Sequence, residues 1–262
     1  MAVVATPLSV FSIFFILTSI PVSSLPCPIH QKQALLRFKS TLTTIFDANS
    51  DPNTDDFVPF EELDSWNPKS DCCTWDRVNC TRTRNKTRFV TELHLDAVVP
   101  LRNLSTNSLE GRLGPELGSL RNLTTLTLSV NNFQGMIPPE LFKLESLRFL
   151  DLSNNSLHGG LSSDVGKEIG NLTKLRELWL EKNQFTGGIP SSVENMKDLE
   201  SLDLSVNSFS LQIPAGLGRL PNMTTLDLSK NQFVGPIPPS MQNFEQVRNP
   251  SAQEQQAHRR KR

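Results

Sequence analysis

Leucine recurs at a fixed period from Leu104 onward. Strict alternation within each period, as at Leu126 and Leu128, predicts a short strand with one face turned inward. Because one copy cannot bury that face alone, we expect successive strands to pair into a parallel sheet whose leucines stack into one core. The pattern Leu-x-x-Asn-x-Leu/Phe appears in six copies, with anchors 24, 24, 28, 24 and 24 residues apart: Leu104, Leu128, Leu152, Leu180, Leu204 and Leu228.

An asparagine follows each predicted strand, where the chain turns away from it. Its carboxamide both donates and accepts, so we expect it to bond backbone groups that the turn leaves unpaired, a structural role and not a ligand-binding one. The members of this column are Asn107, Asn131, Asn155, Asn183, Asn207 and Asn231.

Turn residues follow the asparagine in each copy. A glycine and then an Ile-Pro pair, as in Gly135-Met-Ile137-Pro138, combine a flexible with a rigid turn, which predicts a second strand and a helical return. The copies are not identical, because the third has four extra residues around 164–168 and Leu211 replaces the repeat glycine. An opening half-copy at 90–95 ends 33 residues before Leu128, which predicts a bulged insertion at 96–101.

This template resembles the plant-type extracellular leucine-rich repeat. The resemblance is carried by Leu-Asp-Leu-Ser-x-Asn followed by Gly-x-Ile-Pro, and it covers Leu93 to Phe244. It implies an α/β solenoid, a right-handed leucine-rich-repeat superhelix with a parallel concave sheet and a disulfide-bonded N-terminal cap. We divide the chain into a signal peptide (1–24), an N-terminal capping domain (25–89), about six repeats (90–244) and a polar basic tail (245–262) that we expect to be disordered.

The predicted cap must cover the apolar end of the solenoid. Apolar residues at helical spacing predict an amphipathic helix from Gln31 to about Phe46. Vicinal geometry disfavours a bond between Cys72 and Cys73, which leaves two of the three pairings open. A first cysteine before the helix, then Ser-Trp and Cys-Cys-x-Trp, resembles the cap of plant receptor-like proteins and polygalacturonase-inhibiting proteins. That resemblance implies the pairs Cys27–Cys72 and Cys73–Cys80.

Two metal sites are alternatives that we do not favour. Zinc on the cysteines is disfavoured because secretion favours oxidation and no histidine stands at ligand spacing. The stretch from Asp51 to Glu62 mimics an EF-hand loop, but Asp56 stands where that loop needs glycine, so we interpret it as a solvated acidic insertion. We therefore predict no metal and no cofactor.

The N-terminus and the sequons indicate secretion. The apolar run from Leu8 to Ile20 is too short to span a bilayer and suits the core of a signal peptide cleaved near Ser24. We expect the product to be extracellular, in the cell wall or apoplast, or held at the cell surface through a partner. Seven Asn-x-Ser/Thr sequons predict glycosylation: Asn79, Asn85, Asn103, Asn122, Asn154, Asn171 and Asn222.

Composition excludes several function classes. The 26 Lys+Arg and 27 Asp+Glu give a net charge of -1, which is not the basic excess of a nucleic-acid binder. The four histidines are scattered, and the sequence has no phosphate loop, nucleophile elbow or paired His-Glu motif. We therefore predict no catalytic residues and no enzyme activity.

Outward-facing residues of the predicted strands form two columns on the concave sheet. Phe149 and Trp179 place large apolar groups where solvent is expected, and such aromatics flanked by charges are typical of protein interfaces. The columns read Thr125, Phe149, Glu177, Ser201, Thr225 and Thr127, Asp151, Trp179, Asp203, Asp227. Our candidate ligand-binding residues are Phe149, Asp151, Glu177, Trp179, Glu181, Asp203 and Asp227. The three aspartates also belong to the repeat template, so bracing the sheet is their alternative role.

The resemblance favours an extracellular recognition module of the plant receptor-like-protein type. Such proteins bind a protein or peptide on the concave face and act in defence or developmental signalling with a receptor kinase partner. One alternative is a secreted inhibitor of a cell-wall-degrading enzyme, similar to the polygalacturonase-inhibiting proteins. Another is a truncated receptor fragment. We expect no nucleic-acid partner and no direct membrane insertion.

Overall fold

The computed structural model describes residues 26–45, 63–97, 108–161 and 169–241. Within these ranges the chain has one α-helix, α1 (Ile29–Ser40), and thirteen strands. The strands are β1 (Thr43–Ile45), β2 (Val78–Arg82), β3 (Arg88–His94), β4 (Ser108–Arg112), β5 (Thr125–Thr127), β6 (Asn132–Gly135), β7 (Phe149–Asp151), β8 (Ser156–Gly160), β9 (Glu177–Trp179), β10 (Gln184–Gly187), β11 (Ser201–Asp203), β12 (Ser208–Phe209) and β13 (Thr225–Asp227).

The concave sheet contains seven of the described strands, in the order β13-β11-β9-β7-β5-β3-β2. Neighbouring strands are parallel throughout, except for the antiparallel pair of β2 and β3. Strand order therefore follows repeat order, which confirms the predicted solenoid. The middle residue of each three-residue strand is buried, as are Leu126, Leu150 and Leu178. Because side chains alternate along a strand, the two flanking residues face outward.

A second sheet lies on the other side of the core, in the order β1-β4-β6-β8-β10-β12. Its buried residues Phe185 and Phe209 stack with ring centroids 5.9 Å apart, and Phe233, which lies beyond the last strand of this sheet, continues the stack 6.2 Å from Phe209. The predicted second strand and helical return are both present. The returns are 3-10 turns, which suit segments of five residues or fewer: Pro115–Ser119, Pro139–Lys143, Ile169–Asn171, Ser191–Asn195, Leu217–Arg219 and Pro239–Met241.

The asparagine column forms a ladder of side-chain hydrogen bonds between coils, which confirms its structural role. Asn207 Nδ2 donates to the carbonyl of Leu180 in the preceding coil at 2.8 Å and to that of Leu204 in its own coil at 3.2 Å. Its Oδ1 accepts the backbone N–H of Phe185 at 3.0 Å. The same pattern holds at Asn131, Asn155, Asn183 and Asn231.

The opening half-copy supplies a complete first strand of the solenoid. Strand β3 pairs in parallel with β5, and the carbonyl of Leu95 accepts from Asn131 Nδ2 at 2.7 Å, as the anchor leucines of later coils do. Leu109 then takes the position of the repeat phenylalanine, since its N–H is bonded to Asn131 Oδ1.

Two disulfides hold the cap, and they join Cys27 to Cys72 and Cys73 to Cys80, as the resemblance implied. Asp71 organises both bridges, because its Oδ1 accepts the backbone N–H groups of Cys27 at 2.9 Å and Cys73 at 3.1 Å. Its Oδ2 forms an ion pair with Arg88 at the start of β3. The cap is therefore tied to the first strand of the concave sheet.

Buried side chains of the cap complete that connection. Trp66 stacks on Trp75 with centroids 5.5 Å apart, and Trp66 Nε1 donates to the carbonyl of Asp76 at 2.9 Å. Gln31 of α1 is buried and its Oε1 accepts the backbone N–H of Val90 in β3 at 2.9 Å.

The prediction of a helix to about Phe46 is wrong. Helix α1 begins at Ile29 and ends at Ser40, and the N–H of Thr41 bonds the carbonyl of Phe38 as the last turn tightens. Residues 43–45 instead form β1, antiparallel to β4. Pairing with a distant strand suits this β-branched Thr-Thr-Ile segment better than a helix does.

Some predictions lie outside the described residues. These are the signal peptide, Asn103 and Asn107, the acidic stretch from Asp51 to Glu62, the extra residues around 164–168, most of the insertion at 96–101, and the tail. Within the described ranges, no helix has the length and apolar character needed to cross a membrane.

Candidate functional site

Strand register brings the two predicted columns together on the concave face. Phe149 is paired with Glu177, and Asp151 is paired with Trp179. The columns continue in register from β5 to β13, which places all the strand-borne candidate residues on one surface. They also extend one strand further than predicted, because Glu92 and His94 of β3 pair with the outward threonines of β5.

Phe149 and Trp179 are diagonal neighbours on β7 and β9. Their ring centroids are 5.6 Å apart and their planes are inclined by 56°, a tilted arrangement that aromatic pairs favour. Both side chains keep part of their surface in solvent. The indole Nε1 of Trp179 is buried and has no hydrogen-bond partner among the described residues, so this indole is fixed by packing and not by a polar contact.

The template aspartates brace the ends of their strands. Asp203 Oδ1 accepts the backbone N–H of Ser205 at 2.8 Å, and Asp227 Oδ1 accepts that of Ser229, in its own coil, at 2.8 Å. Asp151 does the same with Ser153 at 2.9 Å and is almost completely buried, with 8% of its surface exposed. Burial raises the pKa of the Asp151 carboxyl, and its bonds to Ser153 oppose that rise. The bracing role is therefore present at all three positions.

In one coil the template Asp-Leu-Ser reads Trp179-Leu-Glu181. Glu181 compensates for the lost aspartate, because its carboxylate accepts from its own backbone N–H, the equivalent of the serine N–H in other coils. Burial raises the pKa of Glu181, and the nearby carboxylates of Asp203 and Asp151 raise it further. Its Oε2 atom is buried without a partner among the described residues. This coil thus keeps the acidic group and gains an indole.

A second compensation, which the sequence reasoning missed, concerns the coil where Thr127 stands at the aspartate position. Asp96 of the preceding coil reaches across, and its Oδ1 accepts the N–H of Ser129 at 2.8 Å while its Oδ2 accepts from the Thr127 hydroxyl at 2.5 Å. The sequence contained a signal for both compensations. Thr127 and Trp179 stand where the template has aspartate, and in each case another acidic residue takes its place.

Carboxylates consequently follow one another along the edge of the sheet where the strands end: Asp96, Asp151, Glu181, Asp203 and Asp227. The opposite edge, where strands begin, carries Arg148, which is exposed, and Arg176, which pairs with Glu200 at 3.4 Å. The aromatic pair lies between these edges, so the site offers an apolar centre with an acidic side.

Near the cap the same face is occupied by a small polar network. Glu92 Oε2 accepts from Asn79 Nδ2 at 2.8 Å and contacts His94 Nε2 at 3.3 Å, and these bonds lower the pKa of Glu92. His94 Nδ1 lies 3.2 Å from the hydroxyl of Thr127. These side chains satisfy one another, in contrast to Trp179 and Glu181.

The sequons in the described residues lie at surface positions of different kinds. Asn154 is half-buried beside the end of β7 and has a left-handed backbone, with φ of 51°. The others are exposed: Asn79, Asn85, Asn122, Asn171 and Asn222. Glycan attachment at each remains a prediction.

Known families match both parts of this architecture. Models described as "Leucine rich repeat" match residues 122–144, 146–167 and 171–233, and the "Leucine rich repeat N-terminal domain" matches residues 28–81. The matched families describe repeats and their cap, and none of them is an enzyme family.

Curated relatives are plant proteins. The chain is 37% identical over 185 residues to Receptor-like protein 6 of Arabidopsis thaliana, covering 68% of this chain and 15% of the relative. It is 30% identical over 195 residues to Receptor-like protein EIX1 of Solanum lycopersicum, covering 70% of this chain and 14% of the relative. The chain therefore spans about one seventh of these relatives.

A solved structure of similar fold is the leucine-rich-repeat ectodomain of the plant membrane receptor kinase GASSHO1/SCHENGEN3 from Arabidopsis thaliana, in complex with CASPARIAN STRIP INTEGRITY FACTOR 2. The TM-score is 0.64 at 30% sequence identity, over 80% of this chain and 22% of that ectodomain.

Proposed function

Because the chain belongs to the plant extracellular leucine-rich repeat proteins, we propose that its concave face binds a protein or peptide ligand outside the cell. The observation that carries this proposal is the Phe149–Trp179 pair, two partly exposed aromatic rings on adjacent strands of a sheet that otherwise presents small or charged groups. Aromatic side chains in such a setting are the usual anchors of protein interfaces.

The remaining candidate residues have graded roles in this proposal. Trp179 and Phe149 supply the apolar contact, and Glu177 and Glu181 supply charge beside them. Asp203 and Asp227, which lie on β11 and β13, brace the sheet and extend the contact surface. Asp151 is almost completely buried, so at most one edge of its carboxylate can contact a ligand.

We further propose that this recognition takes place at the cell surface, in defence or development, with a receptor kinase as signalling partner. Secretion and glycosylation belong to the same proposal. The relatives' own ligands and partners are not transferred to this chain.

A first test compares ligand capture with secretion. The secreted chain is immobilised, cell-wall fluid of the source tissue is passed over it, and bound proteins and peptides are identified by mass spectrometry. Trp179→Ala should lose the captured species without lowering the secreted yield, because the indole is part of the surface and its Nε1 supports no internal hydrogen bond among the described residues. If ligand capture and secreted yield fall equally, Trp179 serves in packing and does not contact the ligand.

A glycan placed on the face gives a second, independent test. Asp203→Asn creates an Asn-Leu-Ser sequon at positions 203–205, next to Trp179, and the attached glycan should block capture. The matched control Asp203→Asn with Ser205→Ala carries the same charge change without the sequon, and it should still capture the ligand. Capture that survives glycosylation of residue 203 would place the binding surface elsewhere.

The enzyme-inhibitor alternative predicts a different result. If the secreted chain abolishes the activity of a purified fungal polygalacturonase, and Trp179→Ala restores that activity, the same face belongs to an inhibitor and not to a receptor module.

A further inference from the structure

The coil that carries Trp179 leaves two buried polar atoms unsatisfied on the concave side. Trp179 Nε1 is a donor without an acceptor, and Glu181 Oε2 is an acceptor without a donor, among the described residues. The two residues are separated by one position on a strand and its extension, so both side chains belong to the same face. Both residues keep part of their side chains exposed on this face, although these two atoms are themselves shielded from solvent.

The carboxylate of Glu181 accepts hydrogen bonds from its own backbone N–H and from the Ser153 side chain, but it has no cationic partner among the described residues. Its carboxylate lies close enough to those of Asp151 and Asp203 for each to oppose its ionisation. None of the ion pairs between described residues includes any of these three acids. Arg148 and Arg176 lie at the opposite ends of the strands, and Arg176 is engaged with Glu200. Lys182 and Lys230 follow the strand ends, but they are exposed and enter no ion pair between described residues.

An arginine or lysine of a bound peptide matches these features together. Its cationic head pairs with the partly exposed carboxylates of Glu177 and Glu181 and offsets the charge of the neighbouring acids. The exposed faces of Trp179 and Phe149 then cover the aliphatic stem and contact the cation, an arrangement that stabilises cations near aromatic rings.

We propose that the surface formed by Phe149, Glu177, Trp179 and Glu181 is a pocket for a basic side chain, and that the ligand of this protein is a basic peptide segment. The inference rests on the proposed function, because it requires a ligand on the concave face, and it adds the chemical class of that ligand. Charge complementarity selects this occupant over an acidic or purely apolar segment.

The double variant Glu177→Gln/Glu181→Gln tests the charge and leaves the shape intact. Glutamine keeps a carbonyl oxygen that can accept the N–H of residue 181, so the strand end stays bonded. The matched control is Glu145→Gln/Asp198→Asn, which removes the same charge from exposed positions before the concave strands and creates no sequon. Thermal melting and secreted yield establish that both variants fold.

The probe is a display library of random twelve-residue peptides, selected against the secreted full chain at physiological salt. Peptides that bind the glycan-blocked Asp203→Asn variant are first removed. We expect the remaining binders to be enriched in arginine and lysine and depleted in acidic residues relative to the unselected library. A selected basic peptide should bind the Glu177→Gln/Glu181→Gln variant about tenfold or more weakly, and the control unchanged.

The outcomes separate the two proposals. Concave-face binders without basic enrichment, or with equal affinity for the neutralised variant, would overturn the basic-side-chain pocket and leave the recognition function standing. If removing the peptides that bind the glycan-blocked variant leaves no peptide that binds the wild type, the concave-face function itself fails.

Discussion

Replacing Asn207 with alanine tests the hydrogen-bonded ladder that aligns the coils. The amide of Phe185 loses its acceptor, Asn207 Oδ1, now 3.0 Å away. Phe185 is buried, so its amide is poorly placed to find water in place of that acceptor. An unsatisfied donor of this kind costs about 1–3 kcal/mol, and we expect Asn207→Ala to lower the free energy of unfolding by that amount.

The three carbonyls that Asn207 serves should add little to this cost, because each keeps another donor. The carbonyls are those of Leu180, Leu204 and Ser205. Their other donors are Asn183 Nδ2 at 3.3 Å, Asn231 Nδ2 at 2.8 Å and the N–H of Lys182 at 3.0 Å, respectively. Each carbonyl of the ladder thus has a second donor, whereas the amide of Phe185 has no second acceptor. The lost stability should therefore correspond to one unsatisfied amide and not to four hydrogen bonds.

Amide hydrogen exchange measures the effect at the affected group. In Asn207→Ala the Phe185 amide should exchange faster, whereas the Phe209 amide should keep its protection, because Asn231 Oδ1 still accepts from it at 2.9 Å. Denaturant melting supplies the global free energy. Unchanged protection at Phe185, or equal deprotection at Phe209, would refute the assignment of Asn207 as an acceptor specific to one coil.

Four other predictions concern single contacts. Leu211→Gly should raise the melting temperature by an amount equivalent to about 1 kcal/mol, because Leu211 is exposed and held at φ of 65°, where the other coils have glycine. An unchanged melting temperature would show that the backbone of Leu211 is not strained. Asp71→Ala should destabilise the cap by about 2 kcal/mol or more in denaturant melts, because the amides of Cys27 and Cys73 lose their acceptor and the ion pair with Arg88 is removed. A loss within error would contradict the organising role of Asp71. Asn207→Asp should be less stable than Asn207→Ala at neutral pH and should recover stability on acidification. The facing carbonyls raise the pKa of the introduced carboxyl in the folded state, so its destabilising effect is complete above that pKa and shrinks as the pH falls through it. Basic-peptide binding should weaken on acidification at a pH above 4.5, the ordinary Glu value, because burial and the carboxylates of Asp151 and Asp203 raise the pKa of Glu181; titration midpoints at or below 4.5 would contradict this.

Much of the fold could be predicted because the repeat fixes both strand periodicity and coil register. A period of two identifies the outward residues, and the 28-residue spacing of the longer copy places Phe149 beside the strand of Trp179. The cysteine pairing followed from resemblance alone, since spacing left two pairings open.

What the sequence reasoning missed depends on contacts between distant segments. Strand β1 forms because β4, more than sixty residues later, offers an edge, so helical spacing in the sequence extended α1 too far. The support of Ser129 by Asp96 joins neighbouring coils across an irregular segment. The sequence identified Glu181 only as a charged neighbour of Trp179. That it replaces the template aspartate could be recognised only from the position of its carboxylate in the structure.

The most direct measurement of the central claim is the quenching of Trp179 fluorescence by acrylamide. The chain has three tryptophans, and Trp66 and Trp75 are 2% and 3% exposed, so accessible indole fluorescence reports Trp179. We expect a captured ligand to shield this indole and to reduce acrylamide quenching to the level measured for the Trp179→Ala variant. Saturating ligand with Trp179 still fully quenched would contradict recognition through the aromatic pair on the concave face.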